Sequence, residues 1–311
     1  MHKCSPTFMI LYKIFCSLLC IAKNRIMTIV ISLSMLLSYS AFNQAWSDSK
    51  TAPQRIISLA PHITEMLFSA GAGDKIIGVV AYSDFPQAAL DIDSVGSYQG
   101  INIEKIILLN PDLIIAWKGG NRLKDIEKLK QLGFKVVYSK PYKLYDIPKE
   151  IRAFGEQLGT QVTANTLADA LENKLQSLIK TYHTQSKVSA YYQIWNTPLM
   201  TINGEQFISQ AMSICGAENI FSDLPILAAE VSIESVIQRN PDAILLGGQK
   251  QMQQGWLQAW QKWPAIGAVK NQHIYLLKAD NFQRPTARLI ESIEGLCQKI
   301  DQVRVSKSVR K

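Results

Sequence analysis

Short apolar runs alternate along this chain with stretches whose apolar residues recur every three or four positions. Residues 55–59 and 76–80 read as buried strands. Between them Met66, Leu67 and Ala70 form the stripe of a helix that ends at Gly71 or Gly73. The strand series continues at 113–117 and 135–138, with a helix over 123–132 stopped by Gly133. Strands alternating with helices predict a parallel sheet covered by helices on both faces. The pattern changes at 164–182. There Leu167, Leu171, Leu175, Leu178 and Tyr182 recur at helical spacing, while Glu172, Lys174 and Lys180 fall elsewhere on the surface. Such a helix spans roughly 28 Å at 1.5 Å per residue, which suits a strut between two lobes; a peripheral helix of one lobe is the alternative. Strands resume at 189–194 and 243–246, and a helix over 286–300 closes the pattern.

One unit of this pattern occurs twice. Asn102-Ile103-Glu104 leads into Asn110-Pro111-Asp112-Leu113-Ile114, and Ser232-Ile233-Glu234 leads into Asn240-Pro241-Asp242-Ala243-Ile244. Each copy reads as a capped helix, a Pro-Asp turn and a buried strand. A repeated supersecondary unit predicts two similar lobes, and a cleft between lobes is where small ligands bind. The expected fold class is α/β: two Rossmann-like lobes with parallel sheets, joined by a single long backbone helix. The expected segments are a signal peptide and leader at 1–47, an N-terminal lobe at 54–158, the interlobe helix at 163–184, a C-terminal lobe at 188–303 and a basic tail at 304–311.

The chain has 311 residues, 47% of them hydrophobic and 19% charged, enough to bury real cores. The net charge of +8 resides at its ends. Lys3, Lys13, Lys23 and Arg25 lie in 1–47 without an acid, and Arg304, Lys307, Arg310 and Lys311 lie in the tail. The body between is neutral, which argues against a nucleic-acid partner and leaves the tail as a solvated segment. Lys23 and Arg25 precede an apolar run over 26–37, and Ala45-Trp46-Ser47 fits a cleavage site before Asp48. That run is too short to span a bilayer, so the expectation is export to the periplasm as a soluble protein. Translation from Met27 instead of Met1 is compatible with the same signal. Cys4, Cys16 and Cys20 fall in the leader, with no lipobox before Cys16 or Cys20. Cys215 and Cys297 remain, and a pair in an oxidising compartment usually bonds. That bridge would contribute about 4 kcal/mol on the chain-entropy account; two buried free thiols are the alternative.

No catalytic or metal-binding motif is present: no Gly-x-Ser-x-Gly, phosphate loop, Gly-x-Gly-x-x-Gly after a strand or His-Glu-x-x-His. Gly119-Gly120 and Gly247-Gly248 read as turns. His62, His183 and His273 are far apart, and His62 reads as a loop histidine rather than a metal ligand. What recurs is an aromatic residue at a strand end or in a loop: Tyr82, Tyr98, Trp117, Trp195 and Phe282. In parallel sheets, loops at the carboxyl ends of strands line the ligand crevice, and flat rings there suit a large flat ligand. The alternative is that each ring caps its own lobe. Trp256, Trp260 and Trp263 read as local packing.

Five runs carry a resemblance: Tyr82-Ser83-Asp84-Phe85-Pro86, the run from Tyr98 to Glu104, the run from Asn110 to Gly120, Cys215-Gly216-Ala217-Glu218-Asn219-Ile220-Phe221, and Asp280-Asn281-Phe282-Gln283-Arg284. Over 55–301 the chain resembles the periplasmic substrate-binding proteins of ABC importers, in the class whose lobes are joined by one long helix. Within that class Tyr82, Gln99-Gly100 and Ala116-Trp117-Lys118-Gly119-Gly120 are similar to the group that takes cobalamin. The resemblance implies that Tyr82, Trp117 and the 280–284 loop, with Asn281 and Gln283, contact cobalamin; the corrin faces would lie among Tyr82, Tyr98, Trp117 and Phe282, with Gln99, Asp280 and Arg284 meeting the amides, and Trp195 joins the candidate wall from its place at a strand end. Tyr98 stands where that group carries Trp, Asn281 and Gln283 stand for a Trp and a Glu, and Ala228-Ala229-Glu230 for a segment with a Trp. The resemblance also implies a Cys215–Cys297 bridge, docking of Glu104 and Glu234 on arginines of a membrane permease with its ATPase subunits, a monomer, no cofactor, no metal and no catalysis. From the residues alone, each Glu also complements its helix dipole. The competing ligands are haem, an iron–siderophore or a metal ion; Lys118 and Arg284 are the evident cations for an anionic chelate. An exported hydrolase would need a nucleophile–base pair that the chain does not display.

Overall fold

The computed structural model describes residues 52–97 and 99–309. The leader with its cysteines and cleavage site, Tyr98, and the final two residues lie outside the described residues.

The first lobe comprises β1 (Ile56–Ser58), α1 (Pro61–Ser69), β2 (Ile76–Val79), β3 (Gly96–Ser97), β4 (Gly100–Ile101), α2 (Ile103–Leu109), β5 (Leu113–Trp117), α3 (Leu123–Gln131), β6 (Val136–Ser139) and α4 (Asp146–Leu158). Its sheet has the order β2-β1-β5-β6, all parallel, and β3 pairs with β4 as a small antiparallel ribbon. The long helix α5 (Gln161–Tyr182) follows. The second lobe comprises β7 (Val188–Gln193), β8 (Trp195–Asn196), β9 (Leu199–Ile202), α6 (Phe207–Ile214), β10 (Ala217–Asn219), β11 (Ala228–Glu230), α7 (Ile233–Arg239), β12 (Ala243–Leu246), α8 (Lys250–Gln261), α9 (Gly267–Lys270), β13 (Ile274–Leu276), α10 (Ala279–Phe282) and α11 (Ala287–Val309). Its sheet runs β10-β7-β12-β13, again parallel, so the two lobes share one strand order. An antiparallel sheet, β11-β9-β8, is added to the second lobe.

The repeated sequence unit has a physical reason in both lobes. Asn102 accepts from the Lys105 amide at 2.9 Å, and Ser232 from the Ser235 amide at 3.2 Å, so each caps a helix. Asn110 (φ 44°) and Asn240 (φ 39°) end those helices in the left-handed region that Asn tolerates. The Asp after each Pro grips the start of its lobe's first strand. Asp112 accepts from the Gln54 and Arg55 amides at 2.7 and 3.1 Å, and Asp242 from the Ser189 amide at 2.9 Å.

Alternate residues of each central strand face opposite sides, as a pleat requires. Ile57, Ile114 and Leu129 belong to one outer cluster, and Tyr191, Ile244, Trp256 and Trp260 to another. The inner faces merge. Ile56, Met66 and Leu113 of the first lobe, Ile151 of α4, Leu171 and Leu175 of α5, and Leu245, Leu289 and Ile293 of the second lobe form one continuous core. Cys215 and Cys297 form a disulfide that ties the end of α6 to α11. Across the lobes, Glu65 of α1, 1% exposed, accepts two bonds from Arg288 of α11, at 2.7 and 2.5 Å. The Arg288 guanidinium also lies 3.8 Å from the centre of the Phe85 ring. Gln210 of α6 donates to the Tyr142 carbonyl at 3.0 Å, a second polar tie.

Two expectations are corrected. Residues 304–309 are not a solvated tail: α11 runs to Val309, Arg304 donates to the Ser186 and Cys215 carbonyls, and Lys307 pairs with Asp242 at 2.5 Å. Carbonyls and a carboxylate left at the base of the lobe draw those cations in. His62 is not in a loop, because α1 begins at Pro61, whose fixed φ suits a first helical turn. Among the described residues no helix is long and apolar enough to cross a membrane.

Cys215→Ala with Cys297→Ala should lower unfolding free energy by about 2–5 kcal/mol, read from urea titration. A wild type that loses nothing on reduction would contradict this. Glu65→Gln should cost roughly 3 kcal/mol by leaving Arg288 unpaired, and Glu65→Met with Arg288→Met should recover most of it. A double variant as unstable as the single one would mean that charge pairing is not the cause.

Candidate functional site

The carboxyl ends of β1, β2 and β5 set one wall. Thr64 Oγ1 donates to Ser58 Oγ at 2.8 Å and lies 3.2 Å from Ser83 Oγ, so the loop after β2 is pinned to β1 and α1 by buried hydroxyls. Tyr82, beside this anchor, adopts φ 67° and leaves its ring exposed. Trp117 closes β5. Its amide donates to Asn121 Oδ1 at 2.6 Å, and Asn121 Nδ2 donates to the Leu59 carbonyl at 2.8 Å. A Cβ on residue 120 would fall 1.9 Å from the Trp117 indole, so Gly120 lets the ring lie over the backbone. Gly119, at φ 86°, makes the turn. Trp117 therefore remains partly exposed, edge-to-face with His62 at 5.1 Å between centroids.

His62 is buried, and its pKa is lowered to about 3, first by burial and then by the Arg284 charge. It is neutral at physiological pH, and its Nε2 has no hydrogen-bond partner. Among the described residues no three His, Cys, Asp or Glu side chains cluster as metal ligands.

The second wall comes from β7, β8, β12 and the segment 277–284. Trp195 is exposed, donates from Nε1 to the Thr197 carbonyl at 3.0 Å, and stands edge-on to Trp256 at 6.4 Å. Trp256 in turn occupies the space where a Cβ on Gly248 would lie, and the Tyr192 hydroxyl does the same at Gly247. Three of these four glycines thus make room for rings instead of serving only as turns. Phe282 departs from expectation. It is 4% exposed and belongs to the continuous core, so it offers no face to a ligand. The single turn of α10 points Phe282 inward, where apolar burial is favoured, and leaves Asp280 and Gln283 outward. Asn281 donates to Ser292 Oγ at 2.8 Å, and Gln283 to the Gly247 carbonyl at 2.7 Å. Gln99 is exposed, its amide donating to Ser97 Oγ and its carbonyl accepting from Arg122.

Arg284 joins the walls. It bonds Asp84 of the first lobe at 2.6 Å and lies 3.7 Å from Asp280. Burial pushes the Asp84 carboxyl up, but the hydrogen bond and charge of Arg284 outweigh it and hold the carboxyl below its usual range. Trp117 packs edge-on against His62, whose ring feels the charge of Arg284, and contacts run from Gln283 through Gly247-Gly248 and Trp256 to Trp195. The Asp84–Arg284 bond thus ties the loop carrying Tyr82 to the 280–284 segment, and that segment reaches Trp195 through Gly247-Gly248 and Trp256. Glu104 and Glu234 are not part of it; both sit exposed in first helical turns, and the Glu234 carboxyl is lowered by its own amide and the Ser232 hydroxyl. The Asp84–Arg284 and Glu65–Arg288 pairs are not foreseen in the sequence. Their members lie 200 and 223 positions apart, and no local pattern signals such pairs.

A family model described as periplasmic binding protein matches residues 56–281. The vitamin B12-binding protein of Vibrio campbellii is 39% identical over 252 residues, covering 81% of this chain and 90% of that protein. The solved periplasmic vitamin B12-binding protein of Vibrio cholerae superposes with a TM-score of 0.75 at 35% identity, covering 81% of this chain and 98% of that one. A possible iron-binding periplasmic solute-binding protein of Staphylococcus epidermidis gives a TM-score of 0.69 at 27% identity, with 80% and 99% covered. The fold, the shared strand order and these matches together place the chain in the periplasmic binding protein family.

Proposed function

We propose that this protein captures cobalamin or a related corrinoid between its lobes and delivers it to an ATP-driven importer. It is a binding protein rather than an enzyme, as its family is. The observation that carries the ligand reading is an exposed indole in each lobe, Trp117 and Trp195, together with an arginine between the lobes already occupied by carboxylates. Corrin is a broad ring with neutral amides at its rim. Its faces suit Tyr82, Trp117 and Trp195, and its amides suit Gln99, Asp280, Asn281, Gln283 and Arg284; Tyr98 joins the proposal from the sequence alone. The relatives at 39% and 35% identity that are named for vitamin B12 support the same ligand. Haem or an iron chelate is the second reading, favoured by the iron-binding neighbour. It would bring carboxylates or catecholates to a cleft whose arginine is taken, leaving Lys118 on the rim as the evident attraction.

The proposed partners are the permease and ATPase subunits of an importer, with Glu104 and Glu234 as matched acidic contacts, one per lobe. The proposed location is the periplasm, reached through the 1–47 leader and cleavage before Asp48, with the protein acting as a monomer.

Calorimetric titration of residues 48–311 with cyanocobalamin should show one site with a micromolar or tighter constant, about −8 kcal/mol or better. Trp117→Ala should weaken it roughly tenfold. Absence of both heat and a melting shift would reject the ligand. Glu104→Ala with Glu234→Ala should leave that affinity in place while lowering uptake by cells carrying the importer; unchanged uptake would remove the docking role.

A further inference from the structure

We infer that Asp84 sets the charge selectivity of the cleft, covering the Arg284 cation so that ring ligands with amide rims are accepted and those with carboxylate rims are rejected. The inference rests on the proposed corrinoid reading and goes beyond it, to a residue and a chemical rule of discrimination.

The argument is one of which charge faces the ligand. In the Asp84–Arg284 pair the Arg284 side chain is 15% exposed and the Asp84 side chain 47%. Asp280, more exposed still, approaches the same guanidinium at 3.7 Å. The second arginine at this end of α11, Arg288, is held by Glu65 and covered by the Phe85 ring. His62, against the same region, is buried and neutral. An entering carboxylate therefore meets two exposed carboxylates and two covered cations, and like charges at short range repel. A primary amide meets the same surface as a donor, with carboxylate oxygens of Asp84 and Asp280 as acceptors for charge-assisted bonds. The arrangement disfavours the acid and favours the amide at once, which is how specificity between near-isosteres is obtained. Substituting Asp84 by Asn keeps the shape and exposes the cation.

The test compares cyanocobalamin with its monocarboxylic acid derivative, in which one rim amide is hydrolysed, on wild type, Asp84→Asn and Arg284→Gln. Wild type should prefer the amide. Asp84→Asn should shift the ratio of the two dissociation constants toward the acid by roughly tenfold or more. Arg284→Gln, which leaves both carboxylates uncompensated, should widen the preference for the amide. The ratio within one variant is independent of how much protein is folded, so a purely bracing role for Asp84 would weaken both ligands alike and leave it unmoved. Unmoved ratios in both variants would overturn the inference while the corrinoid reading stands. Should Asp84→Asn fail to fold, an unmoved ratio in Arg284→Gln would overturn it alone. Wild type that binds neither probe would overturn the corrinoid reading and this inference with it.

Discussion

The Glu65–Arg288 pair is the interaction on which the arrangement of the lobes depends. A carboxylate this buried needs a partner for each oxygen, and here one guanidinium from the other lobe supplies both. The pair fastens α1, at the mouth of the first sheet, to the start of α11. Four residues earlier, before α11 begins, Arg284 takes Asp84, so the loop carrying Tyr82 is referenced to the same region. The continuous core beneath, through α4, α5 and α11, keeps water from the Glu65–Arg288 pair, whereas Asp84 stays half exposed.

Much of the frame was legible because it is written in local chemistry. The capped helix, the Asn-Pro-Asp turn and the apolar strand are properties of neighbouring residues, and they recur at both positions in the chain. The strut helix was readable from its periodic leucines, and the aromatic positions at the strand ends from type and place. What was not legible depends on distant partners. Phe282 reads as a wall residue in sequence, and only the packing of α10 against the core turns it inward. Arg304 and Lys307 read as solvated tail because their acceptors, the Ser186 and Cys215 carbonyls and Asp242, belong to other parts of the lobe. Asp84 was visible as a letter in a recognisable run, but nothing nearby indicated that it would meet Arg284.

The glycine pairs show how a cleft edge is shaped by the absence of side chains. At Gly120 a ring lies flush on the backbone because no Cβ intervenes, and at Gly248 the Trp256 ring behind Trp195 has the same freedom. Large rings can then stand at the edge of a sheet without the loops swelling outward. Each indole is steadied by an edge-to-face neighbour, His62 for one and Trp256 for the other.

The shared strand order carries one more consequence, for handedness of recognition. At the amino ends of their strands the two lobes do the same thing, with Asp112 and Asp242 each gripping a first strand. At the carboxyl ends they part: one lobe presents Tyr82 and Trp117, the other a hairpin with Trp195 and a polar 280–284 segment. A molecule held between such unlike jaws has two non-equivalent faces imposed on it. Turning such a molecule over would exchange ring contacts for polar ones, so its two orientations would differ in energy.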